Sequence, residues 1–370
     1  MTMPRDAAPV AGPAGSAGPA EEGRYQELRP LMFSIAYRMT GSVGDAEDVV
    51  QEAFLGLTRA LAEGTVVESP KAYLAAATTR HAINYLRSAR VRRESYVGTW
   101  LPEPLVADDR PGPAERAEMA DSLSMAFLVL LESLSPVERA VFLLREVFGY
   151  DYEEVARIVG KSEQNCRQIF ARARRRIGDR RPRFESSRAQ GEELARRFFA
   201  AAAGGEMNSL LEMLSPDVVF YGDGGGKATA LREPVRGPVR VARFIAGLFR
   251  RGLQLEVSFR PAWVNGQPGG VALDGDGRVI EVFVLDIADG TVQAIRGVVN
   301  PDKLGHLGPV SDLALRRRED LACPPWPPIS PRRPPHPRSW KASPPRPARG
   351  CGRSCPAWPG TCTRSCARLS

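Results

Sequence analysis

Apolar residues change their period along the chain, and the changes divide it into segments. Over 24–98 they recur at three- and four-residue spacing, as in Ala46, Val50, Ala53, Phe54, Leu57 and Leu61, the period of helices with one face turned to a core. Ser69-Pro70 adds an N-cap and a first-turn proline to a helix expected over 71–90. Residues 99–115 carry four prolines. Proline donates no backbone hydrogen bond and blocks a helix, so this stretch reads as a linker. Helical spacing returns over 116–183. From about Gly191 the pattern becomes a helix, a broken stretch and then alternating runs at Leu253–Phe259, Val279–Ile287 and Thr291–Val299, separated by Asp-Gly-type turns. That order predicts an α+β domain over 188–304. Residues 1–23 and 305–370 have almost no periodic apolar residues to bury and are expected to be disordered.

The second helical segment carries strong local signals. Ser135-Pro136-Val137-Glu138 has the residues of a capping box, and Asp151-Tyr-Glu-Glu154 forms another. The latter opens a short helix, Tyr152–Val159, that stops at Gly160; Ser162 then caps a longer helix to about Ile177. Two helices joined by a tight glycine turn have the geometry of a helix-turn-helix. On the second helix Cys166, Ile169, Phe170, Ala173 and Ile177 should face the core. Gln164, Arg167, Gln168, Ala171, Arg174 and Arg175 form the opposite stripe. Its first turn and Arg167 can reach base edges in a major groove, and the later arginines can neutralise phosphates. A solvated basic helix on any small bundle would carry the same stripe.

Composition adds limits. The chain has 370 residues, room for two or three domains, and 43% are hydrophobic. It contains no apolar run long enough to span a bilayer, and its first twenty residues lack the order of a signal peptide, so a cytoplasmic protein without a membrane partner is expected. The formal charge of +8 is misleading, because 12 Lys/Arg against 3 Asp/Glu lie after Leu304 and the preceding residues sum to about −1. A DNA-binding reading must therefore rest on local patches. Cys166 stands alone before the tail, which suits a reducing compartment.

Two patches lie in the first helical segment. Asp45, Asp48, Gln51 and Glu52 gather as an acidic edge beside the apolar face of 45–61. By periodicity alone it is a solvated surface. Between Thr78 and Arg93 there are five arginines and no acid; Arg80, Asn84, Arg87 and Ser88 align on one side, and Arg90, Arg92 and Arg93 extend it, with Tyr85 and Tyr96 nearby. Such a surface suits DNA whose strands are being separated, and equally an acidic partner.

Taken together, DAEDVVQEAFL, TTRHAINYLRSARVRRESY and LSPVERAVFLLREVFGYDYEEVARIVGKSEQNCRQIFARARRRI resemble regions 2 and 4 of sigma-70-family factors of the extracytoplasmic-function group. Trp100-Leu-Pro-Glu-Pro-Leu105, Asp223-Gly-Gly-Gly-Lys227 and Asn300-Pro-Asp-Lys-Leu304 resemble the sigma factor J-like subgroup, which carries a carboxy-terminal SnoaL-like domain. The resemblance implies a multidomain fold: two all-α sigma domains, the second a helix-turn-helix, and an α+β SnoaL-like domain of the nuclear-transport-factor-2-like type. It implies a transcription initiation factor rather than an enzyme, without cofactor or metal. Its partners would be core RNA polymerase, through the beta-prime clamp helices and beta flap, and promoter DNA, with no separate anti-sigma factor required. By position, Asp45, Asp48, Gln51 and Glu52 would bind polymerase. Arg80, Asn84, Arg87, Ser88 and Arg90 would read and open the minus-10 element; many members of the wider group have Asn where this chain has Arg80. Ser162, Glu163, Gln164, Arg167, Gln168, Arg174 and Arg175 would read the minus-35 element. Trp100, Leu101, Asp223, Lys227, Asn300, Asp302 and Lys303 would be regulatory.

An enzymatic SnoaL-like domain would need titratable groups converging in its pocket. Asp217, Asp223, Lys227, Glu281 and Asp286 are the candidates, and the domain has no histidine before His306. DGGGK lacks the spacing of a nucleotide P-loop. Regulation in cis, with Trp100 and Leu101 as apolar anchors in an otherwise mobile linker, is the favoured reading. In the tail, Cys351, Cys355, Cys362 and Cys366 match no common zinc spacing. The tail's composition is also what a GC-rich gene yields when read out of frame.

Overall fold

The computed structural model describes residues 19–94, 96–107, 123–178, 188–228, 230, 231 and 233–314. The cysteine-rich stretch lies outside them, and Arg90 is described only in its backbone. Helices α1 (Pro19–Thr40), α2 (Val43–Ala62) and α3 (Pro70–Glu94) pack together. They are followed by α4 (Met125–Leu131), α5 (Pro136–Glu146), α6 (Tyr152–Val159) and α7 (Glu163–Gly178). The sequence suggests two separate helical modules. In the structure they share one buried cluster, in which Met32, Ile35 and Met39 of α1 belong with Val141, Phe142 and Phe170 of α5 and α7. Arg139 of α5 crosses this interface, donating to Met39 O at 2.6 Å and pairing with Glu132 at 2.8 Å.

The rest is a sheet with helices on one face. Helices α8 (Arg188–Gly204) and α9 (Met207–Met213) lead into β2 (Leu214–Asp223) and β3 (Val235–Arg236), and α10 (Pro238–Gln254) precedes β4 (Ser258–Val264), β5 (Gln267–Leu273), β6 (Val279–Ala288) and β7 (Thr291–Val298). Strand β1 (Val106–Ala107) comes from the linker, and the order is β1-β4-β5-β6-β7-β2-β3. All neighbours are antiparallel except β2 and β7. Asn265-Gly266 and Asp289-Gly290 close the β4–β5 and β6–β7 hairpins with positive φ at both positions, the requirement of a type I′ turn. One sheet face packs Phe220, Phe283, Leu285 and Ile295 against α8, α9 and α10. The other packs Val264, Val282, Val284 and Val298 against Leu101 of the linker and Met125 of α4.

Four expectations change. The run Leu253–Phe259 is not one strand, because α10 continues to Gln254 and the chain turns at Glu256, φ 55°, before β4 begins. Helix α1 starts at Pro19, inside the expected amino-terminal disorder. Order does not stop at Leu304 either. Residues 301–314 form three 3-10 turns, and Val279 N–H donates to Pro309 O at 2.8 Å while Ser311 N–H returns a bond to Val279 O. The linker's first part is not mobile: Leu101, Pro102 and Pro104 are buried, and Val106 and Ala107 pair with β4.

Candidate functional site

The helix-turn-helix forms because each end is written locally. Asp151 accepts from Glu154 N at 2.7 Å and the Glu154 carboxylate returns to Asp151 N, completing the capping box. Gly160 takes the left-handed conformation, φ 65°, that ends α6, and Ser162 Oγ caps Asn165 N at 3.3 Å. Cys166, Ile169, Phe170, Ala173 and Ile177 are buried, as expected. Gln164, Arg167, Gln168, Arg174 and Arg175 share the exposed side with Ser162, and Glu163 is half-buried. Arg167 is already engaged: its guanidinium bonds Glu163 at 2.7 Å and lies 5.0 Å over the Tyr152 ring.

On α2, Asp48, Gln51 and Glu52 are exposed and Asp45 is half-buried in the first turn. Leu55, an exposed leucine, continues this face one turn further. On α3, Arg80, Asn84, Arg87 and Ser88 are exposed on one side. Arg80 is not free. Its Nε donates to Ile158 O at 2.9 Å and its NH2 to Arg157 O at 2.8 Å, so it caps the carboxyl end of α6, where a cation is favoured.

The three extra motifs converge. Asp223, at the end of β2, is fully buried and accepts from Leu101 N at 2.7 Å, Lys303 Nζ at 2.7 Å, Gly225 N at 3.1 Å and the Tyr96 hydroxyl. Lys303 also donates to Leu101 O and lies 4.6 Å over the Trp100 ring and 4.8 Å over Tyr96. The linker backbone at Leu101 is thus held by an anion at its N–H and a cation at its carbonyl. Asn300 donates to Tyr96 at 2.9 Å and accepts from Asp302 N at 3.1 Å. Burial, then the neighbouring Asp223 charge, pushes the Tyr96 hydroxyl pKa well up, so it remains a donor. Lys227 pairs with Asp302 at 2.6 Å on the surface, outside this buried cluster.

The same linker segment is bound on its other side by α1 and α2. Trp100 sits against Gly41, where an added Cβ would come within 2.8 Å of the indole. Glu103 accepts from Val43 N at 2.7 Å, adding a carboxylate to the amino end of α2, and its backbone carbonyl accepts from Tyr37. Asn265, in the β4–β5 turn, donates to the Tyr37 hydroxyl at 2.7 Å and accepts from Leu105 N at 2.9 Å. His306 bonds Pro104 O at 2.8 Å. Tyr37, Asn265 and His306 were not singled out by spacing for this role, because each acts through a partner distant in sequence; Tyr96, expected beside the basic DNA-facing helix, bonds Asp223 instead, and Glu103 of the Trp100 motif carried no role of its own. The Trp100, Asp223 and Asn300 motifs flagged the region.

The candidate acid–base residues do not converge. Asp217 is exposed, Asp223 is in the linker clasp, Lys227 is exposed, and Asp286 pairs with Arg296 on the linker-facing side of the sheet. Glu281 alone faces the helices. Among the described residues no group of three His, Cys, Asp or Glu is placed to hold a metal, and no helix is long and apolar enough to cross a membrane.

A helix with an acidic edge, a basic helix beside it, a helix-turn-helix and an α+β domain define a sigma-70-type initiation factor. Family models bear this out: sigma-70 region 2 matches residues 24–92, sigma-70 region 4 matches 124–177, and a SnoaL-like domain matches 195–299. The ECF RNA polymerase sigma factor SigJ of Mycobacterium tuberculosis is 38% identical over 299 residues, 76% of this chain and 93% of that protein. The probable ECF sigma factor SigI of the same species is 35% identical, over 76% of this chain and 94% of its own. The crystal structure of M. tuberculosis SigJ superposes with a TM-score of 0.61 at 35% identity, covering 77% of this chain and 98% of that one. The chain belongs to the extracytoplasmic-function sigma factors that carry a SnoaL-like domain. It is a DNA-binding factor for transcription initiation.

Proposed function

We propose that the SnoaL-like domain regulates this sigma factor in cis, clasping the linker so that the helical domains stay closed until core RNA polymerase engages them, without a separate anti-sigma factor. The observation that carries the reading is the clasp of Leu101 by Asp223 and Lys303, beneath Trp100 and Tyr96. In this reading Asp45, Asp48, Gln51 and Glu52 dock on the beta-prime clamp helices. Their surface is open in the closed chain, so encounter with polymerase needs no prior opening. Arg80, Asn84, Arg87, Ser88 and Arg90 then act on the minus-10 element, and Ser162, Glu163, Gln164, Arg167, Gln168, Arg174 and Arg175 on the minus-35 element, with the second helical domain at the beta flap. The Arg80 contact with the end of α6 breaks in this step, so that the guanidinium can turn its paired donors from the two carbonyls to DNA. Asn300 and Asp302 shape the turn that presents Lys303, and Lys227 ties the DGGGK loop to it.

The test is transcription in vitro with purified core polymerase from a promoter selected with the holoenzyme. Asp223→Ala and Lys303→Ala should each raise initiation several-fold at limiting factor concentration, and Arg87→Ala should lower it in either background. Equal initiation by wild type and both clasp variants, all shown to be folded, refutes regulation by the clasp.

A further inference from the structure

Residues 188–304 contain 14 Lys/Arg and 14 Asp/Glu, so the SnoaL-like part of the chain is neutral as a whole. Its charge is nevertheless segregated. Between Pro234 and Leu255 stand Arg236, Arg240, Arg243, Arg250 and Arg251, without a single acid. Arg240, Arg243, Gly247, Arg250 and Gln254 follow one another at three- and four-residue steps along α10, and all five are exposed, so they form one outer row.

Among the described residues none of the five arginines has a hydrogen-bond or ion-pair partner. Elsewhere at the surface arginines are paired: Arg167 with Glu163, Arg196 with Glu193, and Arg278 with Asp274 and Asp276. The row also works against the helix that carries it. Arg240 lies in the first turn, where the helix dipole disfavours a cation, and Arg243 sets a like charge beside it. Gly247 places a poor helix former between Arg243 and Arg250, yet no neighbour needs the room, since nothing packs within 4 Å of where its Cβ would lie. A face that serves only solvation mixes both signs. Charge of one sign, unrelieved within the chain and set around a bare stretch of helix, fits a partner that brings the opposite charge close.

We propose that the outer face of α10 is a duplex-DNA contact of the SnoaL-like domain, in which Arg240, Arg243 and Arg250 neutralise backbone phosphates. From Arg240 to Arg250 the helix rises about 15 Å, a length over which duplex DNA presents about nine phosphates, so each guanidinium can meet its own. The row has no exposed aromatic ring on which unpaired bases could stack, so it suits a duplex rather than a single strand. Phosphate contacts hold DNA without reading it. The chain is already a DNA-binding factor, so this face meets the duplex at high effective concentration. The contact rests on that class and not on the linker clasp, so either can fail alone.

The face is exposed in the closed chain, so the full-length protein can be titrated by fluorescence anisotropy against a labelled duplex that lacks promoter elements, and its holoenzyme against a selected promoter. Arg240→Ala/Arg243→Ala/Arg250→Ala should weaken both by about tenfold at low salt. It should also make the slope of log affinity against log salt shallower by about 2.7, three phosphates at about 0.9 each. Lysine at the same three positions should restore both, because a phosphate asks only for charge. Arg196→Ala/Arg278→Ala, which removes two carboxylate-paired arginines, should leave the slope nearly as in wild type. Denaturant unfolding checks that each variant is folded. An unchanged salt slope in the folded alanine variant, or an equal change per arginine in the Arg196/Arg278 control, overturns the proposal. So does weaker assembly with core polymerase at unchanged DNA affinity, which would assign the face to an acidic protein surface instead.

Discussion

Asp223 and Lys303 form a buried ion pair whose other contacts are the linker backbone at Leu101, the Gly225 N–H, the Tyr96 hydroxyl and the rings of Trp100 and Tyr96. Replacing one member strands the other without solvent, a change that costs far more than the pair itself contributes. Asp223→Asn keeps an acceptor for Leu101 but leaves the ammonium uncompensated, and it should destabilise the chain by about 3 kcal/mol in urea denaturation. Gly41 combines two demands, a positive φ of 70° and the indole face of Trp100, whereas Gly160 has only the first, φ 65°, with open space where a Cβ would go. Both alanine variants incur left-handed strain of about 1 kcal/mol. Gly41→Ala should lose more than Gly160→Ala, and its Trp100 emission should shift as the indole is pushed off its seat. Glu281 titrates in the opposite sense to a salt-bridged acid. Its folded pKa, about 8, lies above the ordinary carboxylate value of 4.5, so the folded chain binds the extra proton between those two pH values. Its contribution is fully present below the lower value and is lost as pH rises through the upper one. The stability of Glu281→Gln relative to wild type should therefore increase with pH up to about 8 and then level off, measured by unfolding across that range.

Helix α7 owes its position to short-range chemistry, which is why it was legible. Capping residues, Gly160 and the period of Cys166, Ile169, Phe170, Ala173 and Ile177 all act within one or two turns, and the structure reproduces each. Asp151→Ala should cost about 1 kcal/mol, because the Glu154 N–H loses its acceptor, and it should weaken duplex binding by loosening α6 under α7. The Asp289-Gly290 turn was legible for the same reason. Leu253–Phe259 was not, since a short apolar run fits the end of a helix as well as a strand and only α10's packing decides between them. The linker shows the limit most clearly. Its prolines exclude a helix, but nothing in their spacing says that Glu103 caps α2, that Asn265 spans Tyr37 and Leu105, or that Val106 and Ala107 add an edge strand. The motifs around Trp100, Asp223 and Asn300 marked the clasp, and Tyr96 at its centre carried no such mark.

At the scale of the molecule, the clasp and the Arg80 contact belong to one closed arrangement, and in the proposed reading polymerase binds the open one. A factor that is open only a fraction of the time binds with its intrinsic affinity reduced by that fraction. Loosening the clasp therefore raises apparent affinity for core enzyme, up to the limit set by full opening. Changing the acidic face of α2 lowers the intrinsic affinity itself. The two effects arise at separate places, with Asp48 and Glu52 exposed and Asp223 buried, and so should combine additively. In a fluorescence titration with core polymerase, Asp223→Ala should tighten binding about tenfold, roughly 1.4 kcal/mol, and Asp48→Lys/Glu52→Lys should weaken it by at least as much in both backgrounds. Arg80→Ala should tighten polymerase binding slightly, by removing a contact of the closed form, while impairing promoter opening. That pair of opposite signs separates a latch from a residue that serves only DNA, because a purely DNA-facing arginine would leave the polymerase titration where it was.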